Sequence, residues 1–157
     1  MEVCVIDNNT PDKELWMPVE DACIRLNEEL GREVFRFFHV MGIKGAKAGA
    51  LNYLLDGRIA KDTDLIALVD ADYHAEPSFP GCLVGHFKDD NVAFVQTSHD
   101  YRDQNECLYK NWSYWEYMPC YKVGLACLNE YDVSFTVGTM CVFRHSAIEK
   151  VGRWSEW

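Results

Sequence analysis

The chain has 157 residues, 48% of them hydrophobic, which is enough apolar material for the core of one domain. Its formal net charge of −10 argues against a nucleic-acid backbone or an anionic membrane surface as the partner. The seven cysteines form no C-x-x-C pair and mostly lie in apolar runs, which is typical of reduced core thiols in a cytoplasmic protein.

The first third of the chain predicts a β-α-β unit. An apolar strand at residues 3–7 ends in Asp7 and a polar turn, and a second strand is predicted at residues 34–40. Between them, a helix should begin near Met17, because Pro18 is tolerated in a first turn, and should end at Gly31. This order of elements implies parallel pairing of the two strands. The expected buried face of the helix consists of Leu15, Val19, Ala22, Cys23, Leu26 and Leu30.

A loop containing glycine and lysine, residues 42–47, then runs into a second helix. Small residues allow a ligand to approach the backbone, and the amides at a helix N-terminus favour anions. The loop is neither a Walker motif nor a G-x-G-x-x-G motif. Binding of an anion and simple close packing of helix on sheet therefore remain alternative interpretations.

Two carboxylates, Asp70 and Asp72, follow an apolar run at residues 65–69. The run predicts a central strand that is buried on both faces, and ligands of open α/β sheets bind at the carboxyl ends of such strands. Residues two apart in a strand share a side, so both carboxylates can face one divalent cation. The alternative is a strand-end turn with solvated acids. His74, beside the pair, is interpreted as a hydrogen-bonding neighbour.

The remainder predicts an α/β domain with a mostly parallel sheet flanked by helices. A short helix should end at Phe87, strands are expected at residues 92–97 and 134–143, and a last helix at 145–151. Strands 3–7, 34–39, 65–69 and 92–97 are predicted to be parallel. The segment 104–131 should be helical until Pro119 breaks it, with Trp112 and Trp115 on its packed face.

Five motifs occur in an order that resembles the family 2 glycosyltransferases, in particular their processive, cellulose-synthase-like branch. The motifs are VIDNNT around Asp7, KAGALN from Lys47, VDAD ending at Asp72, FVQT ending at Thr97 and VGTM ending at Met140. The resemblance covers essentially the whole chain. It implies the Rossmann-like GT-A fold of nucleotide-diphospho-sugar transferases, with residues 1–97 as the nucleotide-sugar-binding half and 98–157 as the start of the acceptor-binding half.

The resemblance also implies roles for single residues. Asp7 would contact the nucleoside of a UDP-sugar, Lys47 the diphosphate, and Asp70 the ribose and a metal. Asp72 would coordinate the same Mg²⁺ or Mn²⁺. The acceptor, a growing polysaccharide, would lie beside Gln96, Gly138 and Thr139.

The function implied is metal-dependent, inverting transfer of a hexose, with UDP-glucose as the expected donor. The general base of the family is expected beyond Trp157, so the chain is interpreted as an incomplete domain that is inactive alone. Its parent would be embedded in a membrane and active at the cytoplasmic face. Two alternatives are a fragment that binds nucleotide-sugar without turnover and, more remotely, a haloacid-dehalogenase-type phosphatase, which also places Asp-x-Asp after a strand.

Overall fold

A computed structural model describes residues 1–156 and contains two compact units. The first unit comprises Met1–Thr63 together with the segment from Ile148 onward, and the second comprises Asp64–Ala147. The strands are β1 (Val3–Asn8), β2 (Phe35–Val40), β3 (Leu65–Leu68), β4 (Phe94–Gln96) and β5 (Cys141–Arg144). The α-helices are α1 (Lys13–Leu30), α2 (Ala46–Leu55), α3 (Phe79–Val84), α4 (Leu108–Pro119), α5 (Leu125–Asn129) and α6 (His145–Lys150).

The sheet of the first unit consists of β1 and β2, which pair in parallel as predicted. The register sets Asp7 opposite His39 and Asn8 opposite Val40. Both strands therefore end at the same edge of the sheet, where the side chains of Asp7 and His39 are neighbours.

Helix α1 begins earlier than predicted, at Lys13 instead of near Met17. The Asp12 side chain caps it by accepting a hydrogen bond from the Glu14 amide at 2.9 Å. Pro18 consequently lies inside the helix, where its missing N–H leaves one helical hydrogen bond unmade. The helix ends, as predicted, at Gly31 in the left-handed conformation, with φ 63°.

The buried face of α1 differs from the predicted one. Cys23 is buried, as predicted, and Trp16, which was not predicted, is half-buried, whereas Leu15 is 67% exposed and Leu30 is 50% exposed. A polar residue, Asn27, explains why the helix buries a different face. The Asn27 side chain accepts hydrogen bonds from the amides of residues 34 and 35, both at 2.8 Å, and donates to the carbonyl of residue 35 at 2.7 Å. The helix is thus oriented by its connection to β2.

The sheet of the second unit is antiparallel, which corrects the prediction of a mostly parallel sheet. Its order is β3-β5-β4, and β5 runs antiparallel to both neighbours. The strands β3 and β4 share a direction, but β5 lies between them. The last strand is also shorter than the predicted segment 134–143, because residues before Cys141 form a loop.

Strand β3 is an edge strand of this three-stranded sheet, and it is not buried on both faces as predicted. Leu68 is buried, whereas Ala67 and Val69 are exposed. Leu65 is the β3 residue that packs against the core of this unit. The core consists of Phe79, Leu83, Phe87 and Val142, and Leu65, Ala75, Val92, Val95 and Met140 pack against it.

The aromatic helix α4 also differs from its prediction. Its α-helical hydrogen bonding ends at Pro119, as expected, and a π-helical turn over Cys120–Gly124 leads into α5. Trp112 and Trp115, expected in the core, are 65% and 64% exposed. Tyr114 and Met118 are the buried residues of α4, so the helix presents a different face to the core.

Four of the seven cysteines are exposed, so the expectation of core thiols holds only for the others. Cys23 and Cys141 are buried and Cys4 is half-buried, and no two cysteines within residues 1–156 are joined by a disulfide. No helix within residues 1–156 combines the length and the apolar character needed to cross a bilayer.

Candidate functional site

The carboxylate of Asp7 is held at the end of β1 by two side chains. His39 Nδ1 lies 2.8 Å from one carboxylate oxygen, and the Thr10 hydroxyl donates to the other oxygen at 2.7 Å. The pairing follows from the parallel register, which sets Asp7 opposite His39. About a quarter of each side chain is exposed, 24% for Asp7 and 23% for His39. The carboxylate is therefore fixed in orientation but still open to a ligand.

Trp16 of α1 fixes the imidazole of His39 from the other side. The two rings stack with centroids 4.2 Å apart and planes 13° apart. The indole Nε1 of Trp16 is buried and has no hydrogen-bond partner among the residues that the structure describes. At the edge of the parallel sheet, the indole of Trp16 thus stacks on the imidazole of His39, which contacts the carboxylate of Asp7.

The loop at residues 42–46 is fastened to the end of β1. Asn9 donates to the Ile43 carbonyl at 2.8 Å and accepts from the Gly42 amide at 2.6 Å. Asn8 donates to the Ala46 carbonyl at 3.1 Å. The sequence VIDNNT therefore serves two purposes, since its aspartate faces His39 and its asparagines hold the loop that precedes α2.

The close approach of this loop to α2 requires a glycine. A Cβ atom at Gly49 would lie 1.7 Å from the Lys44 carbonyl oxygen. Lys47 is exposed in the first turn of α2, where helix N–H groups attract anions. Close packing of the loop, one of the two alternatives considered, is thus present, and it is compatible with anion binding at the same helix end.

In the second unit, the acidic pair lies on a turn directly after β3. The Tyr73 amide donates to the Asp70 carbonyl at 3.0 Å, which closes the turn. The Asp70 amide donates to the Thr139 hydroxyl at 2.9 Å. Asp70 is half-buried and Asp72 is exposed, as is His74. The backbone that carries the two carboxylates is therefore held by one hydrogen bond inside the turn and by a second one to Thr139 in the neighbouring loop.

That neighbouring loop, residues 137–140, is held by Gln96 at the end of β4. The Gln96 amide nitrogen donates to the Thr139 carbonyl at 3.0 Å, and its oxygen accepts from the Val137 amide at 3.0 Å. Gly138 has φ 86°, a conformation that suits glycine, and Thr139 is only 3% exposed. Gln96, Gly138 and Thr139 thus shape the loop that supports Asp70.

His99 connects this loop to the acidic turn. Its ring is 5% exposed, its Nδ1 lies 3.0 Å from the Tyr73 hydroxyl, and its Nε2 lies 3.3 Å from the Thr139 carbonyl. The Tyr121 ring packs on it with centroids 4.8 Å apart. Burial raises the pKa of Tyr73 above its ordinary value, and the nearby charge of Asp72 raises it further. The Tyr73 hydroxyl therefore keeps its proton and can donate it in a hydrogen bond to His99 Nδ1.

The donor set of the acidic turn suits a hard divalent cation. Within residues 1–156, no group of three or more histidine, cysteine, aspartate or glutamate side chains is arranged to hold a metal ion. Magnesium, however, is commonly bound by one or two carboxylates with the remaining ligands supplied by water and substrate phosphates. Asp70 and Asp72 provide that minimal set, so they fit a cation that arrives with a phosphorylated ligand.

The predicted site residues fall into two groups. Asp7 and Lys47 lie in the first unit, and the other five lie in the second. Within the second unit, Asp70, Thr139 and Gln96 are connected by hydrogen bonds. The contacts of Asp7, Lys47 and the acidic pair with one UDP-sugar stay a prediction. The division into a nucleotide-sugar-binding half at residues 1–97 and an acceptor-binding half at residues 98–157 also stays a prediction.

Three contributors were missed from the sequence, namely His39, His99 and Tyr73. A signal existed for His39, because parallel strands of similar length end at the same edge and Asp7 and His39 both stand near such an end. His99 follows a strand in the same way, but its partners are a backbone carbonyl and a hydroxyl in other segments. Such partners leave no pattern in the sequence.

The comparison with protein families gives one match. The model of the family described as "Glycosyl transferase family 2" matches residues 1–152 of the chain. The match covers both compact units and every one of the five motifs considered above.

Proposed function

The chain belongs to glycosyl transferase family 2, and from this premise we propose that it binds a UDP-sugar donor through a divalent cation at Asp70 and Asp72. Membership of the family makes it a glycosyltransferase with the GT-A fold, and it replaces the phosphatase alternative. The observation that carries the proposal is the acidic turn after β3, in which two carboxylates stand on a backbone braced by Thr139.

The charge of the chain supports a role for the cation. A protein with a formal net charge of −10 that offers two carboxylates to a diphosphate would repel it. Held by Asp70 and Asp72, Mg²⁺ or Mn²⁺ would neutralise the charge of the nucleoside diphosphate. The chain's own part is to hold Asp70 and Asp72 in place, which the hydrogen bond from the Asp70 amide to Thr139 favours.

The first unit offers groups of a different chemistry. Asp7, oriented by His39 and Thr10, can accept a hydrogen bond from the imide N–H of a uracil ring or from a ribose hydroxyl. Lys47 and the N-terminus of α2 supply positive charge for the diphosphate. We assign the nucleoside to Asp7 and the diphosphate to Lys47.

For the acceptor, we propose a growing polysaccharide and, as donor, UDP-glucose with inversion at the anomeric carbon. The support is the resemblance of the five motifs to the cellulose-synthase-like branch of the family. Gln96, Gly138 and Thr139 act on the acceptor side through the loop that they shape, since the side chains of Gln96 and Thr139 are engaged in hydrogen bonds. We propose no residue of this chain as the general base and expect the polypeptide alone to bind the donor without transferring sugar.

Calorimetry with UDP tests the proposal. The chain should bind UDP in the presence of Mn²⁺, and removal of the metal or the substitution Asp72→Asn should weaken binding by at least about tenfold, the effect of losing a charged ligand contact. Asp103→Asn is the matched control, since this aspartate pairs with Lys110 and belongs to no proposed site. Metal-independent binding that Asp72→Asn leaves unchanged would contradict the proposal.

A further inference from the structure

We propose that His99 is a positioning residue that clamps the Asp70–Asp72 turn through the hydroxyl of Tyr73. Its functional part rests on the proposed function. The clamp itself is a property of the second unit and can be measured without any ligand.

Four hydrogen bonds form a closed ring around the turn. The Asp70 amide donates to the Thr139 hydroxyl at 2.9 Å, and the Tyr73 amide donates to the Asp70 carbonyl at 3.0 Å. His99 closes the ring, with Nε2 at 3.3 Å from the Thr139 carbonyl and Nδ1 at 3.0 Å from the Tyr73 hydroxyl. The two ends of the acidic turn, Asp70 and Tyr73, are therefore each connected to the same residue, Thr139, one directly and one through His99.

Two hydrogen bonds of the ring depend on which nitrogen of His99 carries the proton. Because the Thr139 carbonyl can only accept, the bond to it is made when the hydrogen is on Nε2, and the Gln96 amide nitrogen lies farther from the same Nε2, at 3.4 Å. The Nδ1 of His99 then accepts from the Tyr73 hydroxyl. His99 is 5% exposed, and its ring packs against the aromatic rings of Tyr73 and Tyr121. A buried imidazole with both nitrogens satisfied resists reorientation.

The exposed position of Asp72 explains why such a clamp would matter. Asp72 is exposed and lies between two residues of the ring, Asp70 and Tyr73, so its backbone is held on both sides. A short turn on an edge strand would otherwise be free to spread its two carboxylates, which repel each other. Holding the turn before the cation arrives reduces the entropy lost on binding.

Amide hydrogen exchange, followed by NMR on the 157-residue chain, tests the clamp directly. Tyr73→Phe removes only the hydroxyl, and His99→Gln keeps an amide donor for the Thr139 carbonyl while losing the imidazole Nδ1. In both variants the amides of Asp70 and Tyr73 should exchange about fivefold faster, the factor that the loss of one typical hydrogen bond produces. The double variant should be no faster than either single one, because both remove the same link.

The control is Tyr101→Phe, which removes a hydroxyl from a half-buried tyrosine of the same unit. It should leave the exchange of Asp70 and Tyr73 unchanged. Unchanged exchange in Tyr73→Phe would overturn the clamp. Equal acceleration at the β5 amides of Val142 and Phe143 would also overturn it, because His99 would then act as a general packing residue.

A second measurement separates the clamp from the proposed function. If UDP and Mn²⁺ bind the unmodified chain, Tyr73→Phe should weaken that binding about fivefold and Tyr101→Phe should not change it. Binding that Tyr73→Phe leaves intact would overturn the functional part. A chain that binds no UDP at all would contradict the proposed function, and the exchange rates alone would then decide the clamp.

Discussion

At the scale of single residues, the candidate site consists largely of side chains that hold other side chains. Asp7 is oriented by His39 and Thr10, and Asp70 is supported by Thr139. Most of these hydrogen bonds join segments that are far apart in the chain. The residues proposed to bind the donor therefore depend on side chains to which we assign no contact with the donor.

Gly49 provides the first prediction at this scale. A methyl group at this position would lie 1.7 Å from the Lys44 carbonyl oxygen, so Gly49→Ala must displace the loop that precedes α2. We expect a loss of about 1–3 kcal/mol in the free energy of unfolding, measured by urea denaturation. Gly81→Ala is the control, because a Cβ atom there meets nothing within 4 Å. A Gly49→Ala variant as stable as this control would contradict the packing described here.

At the scale of elements, the connection of α1 to β2 depends on one polar side chain. Asn27 satisfies two backbone amides and one carbonyl where β2 begins. Asn27→Ala removes these partners from a half-buried region, and we expect a cost of about 1–3 kcal/mol. Thermal unfolding of the variant should be compared with that of Asn105→Ala, since Asn105 is exposed. Equal melting temperatures for the two variants would contradict the role of Asn27.

Helix α4 gives a second prediction for an element. Because Trp112 is 65% exposed, Trp112→Ser should change the free energy of unfolding by no more than about 0.5 kcal/mol. Met118 is 3% exposed, and Met118→Ala should cost about 2–5 kcal/mol. Denaturant titration of both variants measures the difference. A larger cost for Trp112→Ser than for Met118→Ala would show that the helix packs with the face first predicted from its sequence.

The positions of the strands could be predicted from the sequence, but the pairing of β3, β4 and β5 and the packed face of α1 could not. Apolar runs located β1, β2 and β3 to within a residue or two, because each run is short and ends in polar residues. The insertion of β5 between β3 and β4 depends on contacts between distant segments, which leave no local pattern. Likewise, α1 carries apolar residues on more than one side, so periodicity chose Leu15 where the structure packs Trp16.

The site was predictable to a similar degree. Asp70 and Asp72 were identifiable because acids directly after an apolar strand are a local pattern. The supporting ring through His99 was not, since its partners are the Thr139 carbonyl and the Tyr73 hydroxyl. Gln96 and Thr139 were named for the acceptor, whereas their side chains brace a loop and the acidic turn.

At the scale of the whole molecule, two half-buried tyrosines, Tyr101 and Tyr121, predict a loss of stability at high pH. Burial raises the pKa of Tyr101 and that of Tyr121, and neighbouring ionisable groups raise both further. A group whose pKa is higher in the folded state stabilises the fold fully below its unfolded pKa, about 10 for tyrosine. That contribution is lost as the pH rises through the folded pKa. Unfolding midpoints should therefore fall above pH ~10, and should fall less in the double variant Tyr101→Phe, Tyr121→Phe. An equal fall in both proteins would contradict this assignment.

The most direct test of the central claim is to locate a paramagnetic cation on the molecule. With UDP and Mn²⁺ added to the chain, NMR signals of the amides at Asp70, Ala71 and Asp72 should broaden first. Asp72→Asn should abolish that broadening, while Asp103→Asn should preserve it. Broadening centred instead on another acidic cluster, such as Asp103 and Glu106, or broadening indifferent to Asp72→Asn, would contradict the assignment of the cation to the turn after β3.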